Sequence, residues 1–117
     1  MGKSKAVSAF EGAKIIFAKT HLRQYGGLQS RIIALCDVEL LERVLQEGDV
    51  TVDLKNYKSF YEGERVSEEE AVVLLKQAEN ANIVGEKSVS AAKKAFGGKS
   101  PRVKKVQGIP HLQIYKV

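Results

Sequence analysis

Three residues of this chain are of the types that act together in nucleophilic catalysis. Cys36 is the sole cysteine and Asp37 follows it directly, while His111 lies close to the end of the 117 residues. A thiol that meets an imidazole and an orienting acid can act as a nucleophile, and Asp53 is a second candidate for the acid. The spacing does not require these residues to meet. Cys36 also ends the apolar run 32–35, and burial as a small hydrophobic residue is the simpler interpretation.

A second chemical feature is the basic C-terminal third. Residues 87–117 contain no carboxylate and carry eight basic side chains, namely Lys87, Lys93, Lys94, Lys99, Arg102, Lys104, Lys105 and Lys116. Uncompensated positive groups attract polyanions over about 8 Å at physiological salt, and phosphate backbones are the most common polyanions in cells. Lysine dominates the run, which favours contact with phosphates over the reading of bases. We therefore expect a nucleic-acid partner.

The rest of the charge is distributed unevenly along the chain. The net charge of +5 combines basic ends, residues 1–36 and 81–117, with an acidic middle at residues 37–80. An alternative to nucleic-acid binding is that the middle folds against the ends and the charges cancel in surface ion pairs. Each such pair contributes only about 0–1 kcal/mol.

Composition disfavours several other classes of protein. A single cysteine excludes an intrachain disulfide and a multi-cysteine zinc site. His21 and His111 are the two histidines and lie ninety positions apart, so we expect no metal, and the absence of a nucleotide fingerprint indicates no cofactor. No apolar stretch approaches the roughly 18 residues of a membrane span, and no signal peptide is evident. We expect a cytoplasmic protein without a membrane partner.

The first half of the chain alternates between strand and helix patterns. The apolar residues within 13–20 predict a strand, Gly26-Gly27 a hairpin-like loop and residues 31–36 a second strand. Asp37 is predicted to cap a helix whose apolar face is formed by Leu40, Leu41, Val44 and Leu45. Alternation within 50–54 predicts a short, half-buried strand.

The second half begins with a loop, residues 55–66, in which Tyr57, Phe60 and Tyr61 interleave with basic residues. Stacking on bases is possible there, although packing of the aromatic rings on the core is the simpler interpretation. Ser67 and Glu70 form a capping-box pattern that predicts a helix. The further predicted elements are a helix over 86–96 and strands over 102–107 and 112–117.

These elements predict an α+β fold, a small single-domain sandwich in which a mixed, mostly antiparallel sheet packs with about three helices. The domain would span residues 13–117. Residues 1–12, which include Lys3 and Lys5, have no clear periodicity and are predicted to form a basic N-terminal arm.

Five segments in a fixed order carry a resemblance to a known family. They are residues 34–41, 46–49, 60–63, 81–86 and 108–113, with the sequences ALCDVELL, QEGD, FYEG, ANIVGE and GIPHLQ. Together they resemble the archaeal family catalogued as domain of unknown function 424, over about residues 14–117. The resemblance implies an archaeal, cytoplasmic, small α+β protein, and it implies no activity because none is assigned to the family.

Within the shared segments, the resemblance marks Cys36, Asp37, Asn82 and His111 as a candidate family site. Asparagine is a mediocre helix residue, and Asn82 could cap a helix or donate to a ligand. The arm at 1–12 and the lysine-rich segment 99–105 are more basic than the family leads us to expect.

From charge and composition, together with the archaeal origin that the resemblance implies, we expect a non-catalytic RNA-binding protein of the archaeal translation apparatus, either ribosome-associated or a lineage-specific ribosomal protein. Its partners would be rRNA and neighbouring ribosomal proteins. The residues expected to contact RNA are Lys3, Lys5, Lys87, Lys93, Lys94, Lys99, Arg102, Lys104 and Lys105. The alternative is a small enzyme that acts on RNA or a nucleotide through a Cys/Asp/Asn/His pocket. A third hypothesis is a protein-interaction module that docks its acidic segment 62–70 on a basic partner.

Overall fold

Strand and helix patterns alternate along the chain, and the structure shows how they assemble. The computed structural model describes residues 13–97 and 102–115. The strands in these ranges are β1 (Ile16–Tyr25), β2 (Leu28–Asp37), β3 (Val44–Glu47), β4 (Val50–Asp53), β5 (Glu64–Val66), β6 (Asn80–Val84), β7 (Lys104–Val106) and β8 (Ile109–Tyr115). The helices are α1 (Lys58–Tyr61), α2 (Glu68–Lys76) and α3 (Glu86–Phe96), and a short 3-10 helix spans Val38–Leu40.

Six of the strands form one mixed sheet in the order β5-β1-β2-β6-β8-β7, and β3 pairs with β4 in a separate hairpin. The pairing of β2 with β6 is parallel, whereas the other pairings in the described ranges are antiparallel. The prediction of a small, mostly antiparallel α+β fold is confirmed. The predicted arm at 1–12 lies outside the described residues.

The long hairpin of β1 and β2 turns at Gly26-Gly27, as predicted. Both glycines have positive φ angles, 52° and 94°. Side-chain-bearing residues rarely adopt such angles, and a two-residue turn of this kind matches the twist of the strands that it joins. The turn fixes the register, in which Ile16 pairs with Asp37 and Tyr25 with Leu28.

One face of the sheet carries the main hydrophobic core, which lies beneath α2 and α3. Residues two apart on a strand share a face, and the inward-facing sheet residues are Ile16, Ala18, Ile33, Leu35, Val66, Ala81, Ile83, Leu112 and Ile114. Each large aliphatic side chain contributes roughly 1.5–3 kcal/mol by leaving water. The predicted capping box is confirmed, since Ser67 accepts from the Glu70 amide and Glu70 accepts from the Ser67 amide.

The opposite face of the sheet is covered only at one end. There the β3–β4 hairpin and α1 pack on a smaller cluster that consists of Cys36, Leu40, Leu54 and Val84, with Tyr61 against it. Towards the centre of the face, the side chains of β6 and β8 remain accessible. This partial cover creates the cleft described below.

Several sequence predictions differ from the structure, and one of them is the loop over 55–66, which contains α1 and β5. The predicted helix after Asp37 is wrong: only the 3-10 turn forms, and Val44–Glu47 is a strand. The apolar residues at helical spacing do not form one buried face, since Leu45 is buried in the core whereas Val44 is 48 % exposed to solvent. A two-residue turn at Gly48-Asp49 then returns the chain to β4. The strand β6 was not predicted, because its asparagines, Asn80 and Asn82, are poor strand formers.

Candidate functional site

A cleft of about 420 Å³ lies between the accessible face of the sheet and the elements that partly cover it. Its floor comes from β6 and β8, and its roof comes from β4, α1 and the turn between them. The polar and aromatic lining residues are Arg23, Thr51, Asp53, Tyr57, Phe60, Tyr61, Asn82, His111 and Gln113. This volume falls within the range of about 300–1,000 Å³ that is typical of small-ligand sites.

Two amides lie side by side on the floor of the cleft. Asn82 on β6 and Gln113 on β8 are register partners, so their side chains share one face of the sheet. Among the described residues, the Asn82 side chain has no hydrogen-bond partner. The Gln113 Oε1 accepts from the Tyr115 hydroxyl at 3.1 Å, and the Gln113 amide nitrogen is left to donate. Each amide therefore offers hydrogen-bonding capacity to the cleft.

His111 lies next to this pair, directly across from Val84. Its Nε2 is buried and has no hydrogen-bond partner among the described residues. Burial, and to a lesser degree the charge of Lys104 on β7, lowers the pKa of the imidazole below 6.5. The neutral form of the ring is therefore favoured, and in that form one of its nitrogens can accept a hydrogen bond while the other donates. Proline at position 110 restricts the backbone at the entrance to this part of β8.

The roof of the cleft is aromatic. Tyr57 lies at the edge of the roof and is 62 % exposed. Phe60 stacks on His21, with ring centroids 4.4 Å apart and ring planes within 8° of parallel. The ring of Tyr61 meets Phe60 edge-on at 5.1 Å. Burial raises the pKa of the Tyr61 hydroxyl to about 12, so it keeps its proton at neutral pH.

Cys36 does not line the cleft. It is fully buried beneath the roof, and its Sγ donates to the backbone oxygen of Asp37 at 3.3 Å. Burial, with a smaller contribution from the nearby charges of Asp37 and Glu39, raises the pKa of this thiol to about 12. A thiol that stays protonated is a poor nucleophile. The interpretation of Cys36 as a small buried hydrophobic residue agrees with this placement.

Asp37 faces the opposite side of the sheet and caps α3 from a distance. Its Oδ1 accepts from the Ser88 amide at 2.8 Å and the Ser88 hydroxyl at 2.7 Å, and its Oδ2 accepts from the Lys87 amide at 3.0 Å. Gly85 precedes the helix at φ 114°, and a Cβ there would overlap the Asp37 carboxyl group. Asp37 thus caps α3, and its side chain makes no capping bond to the 3-10 turn that follows it.

The four residues of the candidate family site therefore occupy three places. Asn82 and His111 line the cleft together, whereas Cys36 is buried beneath the roof of the cleft and Asp37 is buried at the start of α3. The sequence analysis missed Arg23 and Gln113 as cleft residues and Ser88 as a partner of Asp37. The alternation of His111 and Gln113 along β8 is a signal that could have indicated Gln113, because period-two residues share a face.

The basic residues of the C-terminal third also fall into two groups. Lys87 pairs with Glu39 at 3.0 Å and Lys94 pairs with Glu68 at 2.9 Å. The other four that the structure describes are exposed and make no ion pair within the described ranges, and we call them the basic edge: Lys93, Arg102, Lys104 and Lys105. Lys3, Lys5, Lys99 and Lys116 lie outside the described residues.

The basic edge follows β7, which is an outer strand of the sheet. Lys93 at the end of α3 and Lys105 on β7 line one shallow depression, together with Glu86. Lys104 points to the other side of the strand, where it lies across from His111. The basic edge therefore adjoins the cleft.

The described ranges contain neither a metal-binding cluster nor a membrane-spanning helix. Within residues 13–97 and 102–115, no three histidine, cysteine, aspartate or glutamate side chains are placed to hold a metal ion together. None of the described helices has the length and apolar character needed to cross a membrane.

Comparison with known proteins places this α+β fold in a family. The chain belongs to the family described as protein of unknown function (DUF424), whose sequence profile matches residues 27–117. The resemblance drawn from the five segments is confirmed. No curated protein matches the sequence.

A crystal structure of an uncharacterized conserved protein from Methanopyrus kandleri is similar to this fold. The two chains share 24% sequence identity with a TM-score of 0.68, and the match covers 86% of this chain and 90% of that chain. At this level of identity the likeness concerns the fold alone.

Proposed function

We propose that this protein is a non-catalytic RNA-binding protein of the archaeal translation apparatus, in which the basic edge contacts rRNA phosphates. The observation that carries the proposal is the contrast within the basic C-terminal third. Lys87 and Lys94 are neutralised by glutamates, whereas the four residues of the basic edge have no ion pair within the described ranges.

The position of the basic edge supports contact with a polyanion. Its side chains surround an outer strand and the adjacent end of α3, so they face solvent from neighbouring elements. Lysine offers a compact charge that suits phosphate contact without base selection. Lysines on outer strands also discourage pairing with other chains, and the salt dependence of binding distinguishes these two roles.

The ribosome is the polyanion that we favour. The chain is small and basic, and its first twelve residues include Lys3 and Lys5. Small folded domains with charged extensions suit a position between rRNA helices and neighbouring ribosomal proteins.

The competing enzymatic hypothesis requires Cys36, Asp37, Asn82 and His111 to converge on one substrate. Only Asn82 and His111 share the cleft. Within the described residues, Cys36 makes no hydrogen bond to His111, and Asp37 is occupied by the N-terminus of α3. This geometry supports binding over catalysis by these four residues.

The salt dependence of RNA binding tests the basic edge. The double substitution K93Q/K105Q removes two positive charges, and each phosphate contact to a single strand contributes about 0.7 to the slope of log K against log salt. We expect the slope to become shallower by about 1.4. Fluorescence anisotropy with a labelled, unstructured RNA at several salt concentrations measures this change.

The matched control is K87Q/K94Q, which alters the net charge equally but removes residues already held by glutamates. We expect it to change the slope by less than half as much as the edge variant. An equal effect of both variants would mean that only net charge matters. An undetectable affinity of the wild type for RNA at low salt would refute the proposed function.

A further inference from the structure

We propose that the cleft binds one unpaired nucleobase, whose edge is hydrogen-bonded by Asn82, Gln113 and His111 and whose face packs on the aromatic roof. The inference rests on the proposed function for the source of the base, a single-stranded segment of RNA. The chemistry that the cleft recognises is shared by free nucleotides, and the experiment below separates the two sources.

The floor of the cleft supplies the hydrogen-bonding groups. Asn82 and Gln113 are register partners, and each side-chain amide is planar and carries donors and an acceptor. Unpaired bases are recognised in RNA by such groups, which meet their Watson–Crick and Hoogsteen edges. The Asn82 side chain has no hydrogen-bond partner among the described residues, so its donors and its acceptor are available to a ligand.

His111 gives independent evidence for a polar ligand. A buried ring nitrogen without a partner has lost its hydrogen bonds to water and gained none from the described protein. A ligand group that enters the cleft would restore one. In its neutral form the ring can accept from a base amino group or donate to a base carbonyl, according to its tautomer.

The roof supplies a surface for the face of the base. Tyr57 is mostly exposed although it is a large aromatic residue, and it lies at the mouth of the cleft beside Phe60. Stacking on aromatic rings is the usual way in which proteins hold unpaired bases, and it tolerates every base. The aromatic roof and the amide floor therefore provide the two kinds of contact that a base requires.

Charged residues at the cleft suit the phosphates on either side of the base. Arg23 lines the cleft from β1, and Lys104 lies across from His111 on β7. Asp53 also lines the cleft, but its two carboxylate oxygens accept from Asn56 and from the backbone amides of residues 55 and 56. A strand of RNA could thus pass from the basic edge across the cleft.

The decisive experiment combines two protein variants with a modified RNA. Tyr57→Ala removes an exposed ring, and Asn82→Leu replaces the amide by an apolar group of similar volume. Binding is measured with an unstructured RNA decamer and with its abasic counterpart, which keeps the phosphates and lacks the bases. We expect each variant to bind the decamer about tenfold more weakly than the wild type, and to bind the abasic RNA as the wild type does.

The slope of log K against log salt distinguishes a failure of the cleft proposal from a failure of the proposed function. Both cleft variants should retain the wild-type slope, because they remove no phosphate contact. If the wild type and both variants bind the decamer equally well, the cleft proposal is overturned while the proposed function stands. If the wild type binds no RNA, the proposed function fails, and the nucleotide titration below still tests the cleft.

Nuclear magnetic resonance distinguishes the sources of the base. A change in the chemical shifts of the His111 ring on addition of millimolar nucleoside monophosphates would support recognition of the base in free nucleotides. A change on addition of the decamer alone would support recognition within RNA. Signals that respond to neither ligand would overturn the proposal, and the far-ultraviolet circular dichroism of each variant verifies that its fold is retained.

Discussion

His111 and Cys36 illustrate how burial at the level of single residues separates ligand binding from catalysis. Both groups are shifted towards their neutral forms, the imidazole by a lowered pKa and the thiol by a pKa raised to about 12. The neutral imidazole still accepts and donates hydrogen bonds, whereas the protonated and fully buried thiol offers little chemistry. The residues of the cleft are thus suited to hold a ligand.

The ionisation of His111 gives a prediction at the same scale. The folded protein favours the neutral ring, and the unfolded chain keeps its proton up to the usual pKa of 6.5. Between the lowered pKa of the folded protein and 6.5, the unfolded state binds more protons than the folded state. The stability that comes from keeping the ring neutral therefore declines as the pH falls below 6.5. Titration of the His111 ring protons should give a midpoint below 6.5, and a midpoint at or above that value would contradict the structure.

At the level of secondary-structure elements, the carboxylate of β2 organises the start of α3. In the wild type, the two carboxylate oxygens of Asp37 accept from three donors of Lys87 and Ser88. Asp37→Asn replaces one of these oxygens by an NH2 group, which cannot accept and which faces a donor. We expect the free energy of unfolding to fall by about 2–3 kcal/mol, since hydrogen bonds to a charged group contribute about 1.5–3 kcal/mol each. Urea denaturation measures the loss.

Asp49→Asn is the matched control, because Asp49 is exposed in the turn between β3 and β4. The same chemical change there should alter stability by no more than about 0.5 kcal/mol. Similar losses in both variants would show that the contact between Asp37 and α3 is not a special source of stability.

Local sequence patterns were sufficient for the elements whose signals are local. The glycine pair, the Ser67–Glu70 capping box and the helix over 86–96 were predicted because each depends on neighbouring residues. The strand β6 was missed because its polar residue Asn82 faces the cleft, so the feature that suits it to binding also weakens its strand pattern. The role of Asp37 was misjudged because its capping partners lie 50 and 51 positions away.

The candidate site was predictable only in part. The family segments pointed to Asn82 and His111, and the interleaved aromatic residues of 55–66 pointed to the roof. Arg23 could not be recognised, because strands distant in sequence meet only through the order of the sheet. Convergence of this kind requires the tertiary structure.

At the level of the whole molecule, the uneven charge of the sequence is only partly cancelled. Glutamates of the acidic middle neutralise Lys87 and Lys94, and the basic edge is left as a cationic side of the molecule. The basic edge favours an orientation in which it faces a polyanion. This orientation presents both the basic edge and the adjoining cleft.

Sedimentation of the tagged protein through sucrose gradients tests the proposed ribosomal partner. At low salt we expect the protein to travel with a ribosomal subunit, and at high salt we expect its release, because phosphate contacts weaken as salt rises. The K93Q/K105Q variant should be released at lower salt than the K87Q/K94Q variant. A wild-type protein that stays at the top of the low-salt gradient would exclude stable association with ribosomes.

The parallel pairing of β2 with β6 has a consequence for the synthesis of the chain on the ribosome. Ser30 and Asn80 meet there although they are 50 positions apart in the chain, whereas β1 and β2 are joined by a two-residue turn. During translation the hairpin is therefore complete long before its central neighbour emerges, and the flank of β2 stays unpaired in the meantime. That flank therefore stays exposed to aggregation until β6 has left the ribosome and paired with β2.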